Sequence, residues 1–174
     1  AYGSVEVLDH MAYDGLTDAF DRVSMGESTE RRNADYEITR AEQDAVAARS
    51  HRRAAAAVEA GLFDAEIVPV EVPQRRGEPV IITRDEGIRA DTSEEVLAKL
   101  RPAFTEGGTI TAGNSSQISD GASALVLTTR SHADAQGWKV LAALGASGQV
   151  AGPDNSLHAQ PARAIARALE RQGL

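Results

Sequence analysis

Apolar positions in this chain follow two different spacings. From Arg40 to about Ala60 they recur with a helical period, so that Ala45, Ala48, Ala55, Val58 and Leu62 share one face. Thr39 and Glu42 form a T-x-x-E capping box ahead of the run, in which each side chain satisfies a backbone N–H left free at a helix start. The pattern predicts the longest helix here, and its small alanines let another element approach closely. Upstream, Asp9–Phe20 (DHMAYDGLTDAF) is interrupted at Asp14-Gly15 and reads as a short helical or looped stretch. Glu27–Tyr36 reads as a helical turn.

Beyond the long helix the spacing shortens. Glu66–Val72 (EIVPVEV) alternates, and Pro69, which has no N–H to give a ladder, confines it to a sheet edge. Glu78–Thr83 (EPVIIT) is a second strand, and the turn Gln74–Gly77 (QRRG) predicts a hairpin. Thr92 or Ser93 caps a helix over Glu94–Leu100 that ends before Pro102. Thr109–Thr111 is extended. Ala122–Thr129 and Val140–Ser147 are near-continuous apolar runs of the kind that predicts buried strands. They alternate with helices at Ser131–Gln136, closed by Gly137, and at Pro161–Gln172, with proline in its first turn. This rhythm predicts an α/β layer. Two strands do not make a stable layered sheet alone, so the pattern describes an incomplete fold.

Composition agrees. Apolar residues make up 42% of the 174 positions but aromatics only 4%, so the large side chains that dominate core energetics are scarce. The net charge of −8 argues against a nucleic-acid or anionic-membrane surface, and Arg pairs such as Arg52-Arg53 are read as solvated. No apolar run is long enough to span a membrane and no secretory leader opens the chain, so the expected location is cytoplasmic. The first residue is Ala1 rather than Met, which points to a trimmed product. There is no cysteine, which excludes disulfides, thiolate metal sites and cysteine nucleophiles from these residues. The four histidines have no metal-motif spacing, and no phosphate-binding glycine motif occurs.

Five segments in order carry a resemblance: MAYDGLTDAF (Met11–Phe20), SMG (Ser24–Gly26), ITRAEQDAVAARSHRRAAAAVEAGLFDAEIVPV (Ile38–Val70), LAKLRPAF (Leu97–Phe104) and TITAGNSSQISDGASAL (Thr109–Leu125). Together they resemble the thiolases, the acetyl-CoA acetyltransferase and 3-ketoacyl-CoA thiolase family. The resemblance implies an incomplete thiolase-like α/β fold. Residues 1–119 would be the loop domain that covers coenzyme A, 120–138 the closing strand and helix of the N-terminal domain, and 139–174 the first strand and helix of the C-terminal domain. It implies thiolytic cleavage of 3-ketoacyl-CoA, or Claisen condensation of acetyl-CoA, by a complete homo-oligomeric enzyme, a dimer or tetramer. Coenzyme A and acyl-CoA would be substrates, with no tightly bound cofactor or metal. The family's nucleophilic Cys, its GHP histidine and its second Cys have no counterpart in these residues, so no catalytic residue is assigned and the chain alone is expected to be inactive. The alternative is a non-enzymatic module that binds coenzyme A or a lipid thioester, or that serves assembly.

Carried over by position, Arg89 corresponds to the arginine beside the adenine ring, where a planar guanidinium stacks well. Ser116 corresponds to the serine that bonds the pantetheine arm, and Ala112 lies on the same path. Met25, Phe104 and Leu16 correspond to apolar residues lining the pantetheine and acyl region. Read without the resemblance, Arg89 is a solvated surface arginine, Ser116 a turn hydroxyl, and the three apolar residues plain packing. The small residues of Thr111–Leu125 would let backbone approach the pantetheine arm, with Ser119–Thr129 re-entering the sheet below the catalytic centre. Two positions depart from the family pattern. Ser24 stands where many thiolases have His, and Val96 where a coenzyme-binding Ser is found, removing a hydrogen bond worth about 0.5–1.5 kcal/mol.

Overall fold

The computed structural model describes residues 2–174, which divide into two compact units. The first comprises residues 2–18 and 22–117, the second residues 19–21 and 118–174.

In the first unit a single π-helical turn, Met11–Gly15, leads to α1 (Met25–Asp35), α2 (Arg40–Glu59) and α3 (Glu94–Leu97), with strands β1 (Val70–Val72) and β2 (Val80–Ile82) between α2 and α3. Ser24 caps α1 by accepting the Glu27 N–H at 3.1 Å. The expected box caps α2: Thr39 N–H donates to Glu42 Oε2 at 2.8 Å and Glu42 N–H to Thr39 Oγ1 at 3.3 Å. Of the two candidates for α3, Ser93 is the cap, accepting the Val96 N–H at 3.3 Å. This helix is shorter than the pattern predicts, ending at Leu97 and passing into turns.

The hairpin forms, with Val70 opposite Ile82, Glu71 opposite Ile81 and Val72 opposite Val80. It is shorter than expected because the chain over residues 63–67 folds back on itself, with Ile67 N–H bonded to Phe63 O at 3.1 Å, and Pro69 stays outside the ladder. All six paired residues are exposed. The core sits instead where α2 packs against α3, around Ala48, Leu97 and Ile110, all at most 5% exposed. A bridge between Pro102 and Thr111, with Ala103 N–H on Ile110 O at 2.9 Å, closes the loop that carries Phe104.

The second unit holds α4 (Arg130–Gln136), which ends on the left-handed Gly137 as expected, and α5 (Gln160–Gln172), which ends on the left-handed Gly173. Thr129 caps α4 by accepting the His132 N–H at 3.3 Å. The two buried strands expected here do not form. Among the described residues the hairpin is the only sheet, and residues 122–129 and 140–147 are extended without a ladder. Leu125, Val126 and Leu141 are each more than 85% exposed. A strand is defined by its pairing, and these runs find neither a neighbouring strand nor a covering layer among the described residues. The run 140–147 is bonded to α5, through Ala146 N–H to Gln172 Oε1 at 2.6 Å and Arg171 Nη1 to Ser147 O at 2.9 Å.

Candidate functional site

The six residues singled out by sequence fall into two groups, both within the first unit. Leu16, Met25 and Phe104 form one. A backbone bond from Met25 N–H to Leu16 O, 2.9 Å, joins the first two across the Thr17–Ser24 bridge. The Phe104 ring lies directly over Gly26, so close that a Cβ at position 26 would collide with it. Positions 78 residues apart in the sequence thus meet, which explains the glycine after Met25. Leu16 and Phe104 remain 37% and 44% exposed, so the cluster presents an apolar surface rather than a sealed core.

The loop bearing Phe104 is fixed by Glu30 of α1. Its carboxylate accepts Thr109 N–H at 2.7 Å, Ile110 N–H at 2.6 Å and the Thr109 hydroxyl at 2.9 Å. Partial burial pushes the Glu30 carboxyl up, but the hydrogen bonds from Ile110 and Thr109 outweigh it and hold the group below its ordinary range. A small cleft of about 380 Å³ opens between α1 and this loop.

Ser116, Ala112 and Arg89 form the second group. One face of α2, including Gln43, Ala47 and His51, makes one wall of an open cleft of about 540 Å³, and the turn Gly113–Ser116 makes the other. Ser116 is exposed at this cleft, and Ala112 is exposed in the same turn. Arg89 is also exposed, and its backbone N–H donates to Nδ1 of His51, a cleft residue, at 3.2 Å.

A polar network holds the turn. Asp44, 3% exposed, accepts Arg40 Nε at 2.7 Å and Asn114 Nδ2 at 2.9 Å. Asn114 also donates to Thr109 O at 3.1 Å and accepts the Thr111 N–H at 2.7 Å. The same Arg40 guanidinium donates to the carbonyls of Leu97, the last residue of α3, and of Leu100 just past it. Arg40 and Asp44 stand one helical turn apart, the spacing at which such side chains meet. That signal was available in the sequence; the involvement of Asn114, 70 residues away, was not.

Gly113 has a structural task that the reading of backbone approaching a ligand did not include. A Cβ there would stand 2.5 Å from Leu97 Cδ2 and 2.6 Å from Leu100 Cδ1, so its smallness seats the turn on these leucines. Ser24, one of the two departures from the family pattern, is the cap of α1. Among the described residues no three His, Asp or Glu side chains gather in a way that would hold a metal ion. No helix among them is long and apolar enough to cross a membrane.

Residues 1–131 match the family model for the thiolase N-terminal domain, three quarters of the chain. The chain belongs to the thiolase family. It is 55% identical over 173 residues to a probable acetyl-CoA acetyltransferase of Mycobacterium tuberculosis, covering 99% of this chain and 44% of that protein. A probable acetyl-CoA acyltransferase of Staphylococcus epidermidis is 46% identical, covering 97% of this chain and 43% of its own length. The crystal structure of the Bacillus anthracis acetyl-CoA acetyltransferase superposes with a TM-score of 0.86 at 39% identity, covering 99% of this chain and 43% of that one. This thiolase chain therefore spans less than half the length of the relatives it matches, and its fold is a partial thiolase-like α/β fold, as the sequence implied. The unpaired apolar runs of the second unit lie within the superposed region.

Proposed function

We propose that this thiolase chain supplies the coenzyme A-binding surface of an acyltransferase that cleaves 3-ketoacyl-CoA thiolytically or condenses acetyl-CoA. Residues 1–119 act as the loop domain over the coenzyme, 120–138 close the N-terminal domain and 139–174 open the C-terminal one. Arg89 stacks on the adenine, Ser116 bonds the pantetheine arm with Ala112 beside it, and Leu16, Met25 and Phe104 line the apolar path toward the acyl group. A cytoplasmic setting and a homo-oligomeric assembly belong to the same proposal.

The observation that carries it is the gathering of Leu16, Met25 and Phe104, of which Leu16 and Phe104 are exposed, with Leu16 and Met25 joined by a backbone bond and Phe104 seated over the adjacent Gly26. Exposed apolar clusters of distant sequence origin mark binding surfaces. The reaction also needs a thiolate to hold the acyl group, a base, and donors for the thioester oxyanion. With no cysteine in the sequence, the first of these is not supplied by these residues.

The test is thiolysis of acetoacetyl-CoA, followed by loss of its enolate absorbance, by the complete polypeptide and by the 174-residue chain. Activity is expected in the first and none in the second. Thiolysis by the pure chain would overturn the assignment. A complete polypeptide that binds coenzyme A without turnover would favour the non-enzymatic module instead.

A further inference from the structure

His51 follows Asp44 by seven residues on α2, two helical turns, so both project from one face of the helix. Asp44 ties that face to the turn carrying Ser116, through Asn114. His51 ties the same face to a different segment. Its ring is half-buried in the wall of the 540 Å³ cleft, and its Nδ1 accepts the backbone N–H of Arg89, 38 residues along the chain, at 3.2 Å. A ring nitrogen that accepts a hydrogen bond carries no proton of its own.

Arg89 lies on a stretch that this bond ties to α2, with the Gln117 side chain against Gly87 on one flank and the buried Thr92 on the other. Residues 83–93, between β2 and α3, contain neither helix nor strand. The local bond there, Thr92 N–H to Arg89 O at 3.1 Å, closes a turn but does not attach it to the rest of the unit. A long arginine on a loose turn would lose much of its stacking energy to the cost of being ordered.

We propose that His51 is a positioning residue for Arg89: by accepting the Arg89 N–H it fixes the backbone from which the guanidinium reaches the adenine end of the coenzyme. One helix face then sets both polar contacts of the coenzyme site, Asp44 through Asn114 for Ser116 and His51 for Arg89. The inference rests on the reading of Arg89 as the adenine contact.

The test uses side chains that present an acceptor at different reach, in the complete polypeptide. In His51→Asn the amide oxygen can occupy the place of Nδ1; in His51→Gln the polar group sits one bond further out; His51→Ala has none. Amide hydrogen exchange of Arg89 reads the anchor directly, with protection expected to survive in the Asn variant and to be lost in Gln and Ala. In thiolysis, Ala and Gln should raise KM for coenzyme A about three- to tenfold, one net hydrogen bond, while kcat stays within about twofold, and Asn should restore KM. In an Arg89→Ala background, His51→Ala should add nothing further, because its effect runs through Arg89. Equal behaviour of Asn and Gln, or full additivity with Arg89→Ala, overturns the inference. If the wild-type polypeptide fails to turn over or bind coenzyme A, the proposed function fails, and the exchange measurement still decides whether His51 holds Arg89.

Discussion

Replacing Asp44 by alanine removes the centre of the most buried polar network in the first unit. Two hydrogen bonds vanish, from Arg40 Nε at 2.7 Å and Asn114 Nδ2 at 2.9 Å, and both donors remain. Breaking a fully buried pair by deleting one partner costs about 3–5 kcal/mol, because the survivor is left charged and desolvated. Here the Asp44 side chain is 4% exposed but that of Arg40 is 24% exposed, and the guanidinium keeps the carbonyls of Leu97 and Leu100. Water and those carbonyls relieve part of the penalty, so the expected loss is about 2–4 kcal/mol. Urea unfolding followed by far-ultraviolet circular dichroism should show the midpoint falling by about 1–2 M with an unchanged slope. Arg40→Met should cost at least as much as Asp44→Ala, since it leaves the more deeply buried carboxylate without its counter-charge and the Leu97 and Leu100 carbonyls without their donor. The double variant should fall short of the sum, because the two share one interaction. The reasoning is refuted if Asp44→Ala costs less than about 0.5 kcal/mol, the range of an exposed i,i+4 pair.

Glu30 gives a pH dependence with a defined sign. Its folded carboxyl lies below the ordinary value of 4.5, so its contribution is present above about pH 4.5 and is lost as pH falls through the lower folded value. The stability difference between wild type and Glu30→Gln should therefore shrink on acidification below that point; a constant difference down to pH 3 would contradict it. Gly113→Ala should destabilise by about 1–3 kcal/mol by driving a methyl group into Leu97 and Leu100. Trimming Leu100 to alanine in the same molecule should return part of that loss in thermal unfolding, and strict additivity would refute the contact. Coenzyme affinity in Gly113 variants therefore has to be read beside their stability.

Local signals in the sequence became local structure. The Thr39–Glu42 box, the Ser93 cap, the QRRG hairpin and the two terminal glycines Gly137 and Gly173 are each decided by neighbours within a few residues. The apolar runs at 122–129 and 140–147 were equally legible as pattern, yet a ladder needs a partner strand, and pattern does not say where that partner lies. The resemblance names candidate binding residues, but not what positions them. Glu30, Asn114 and His51 act on segments 79, 70 and 38 residues away, beyond the reach of any periodicity.

That gap has a physical cause. The period of α2 identifies its apolar face through Ala48 and its neighbours, and a helix built on alanine buries little area per residue. Such a helix is held to its surroundings less by area than by polar bonds at fixed places, and a bond to a backbone carbonyl or N–H leaves no mark on the partner's side-chain identity. Arg40 reaches Leu97 O and Leu100 O, and His51 reaches Arg89 N–H; all three partners are main-chain groups. Specificity therefore sits on one side of each contact, in the α2 side chain. Substitutions at Arg40, Asp44 and His51 should accordingly cost more than substitutions at Leu100 or at the residues flanking Arg89, although the latter lie nearer in sequence to the proposed coenzyme contact.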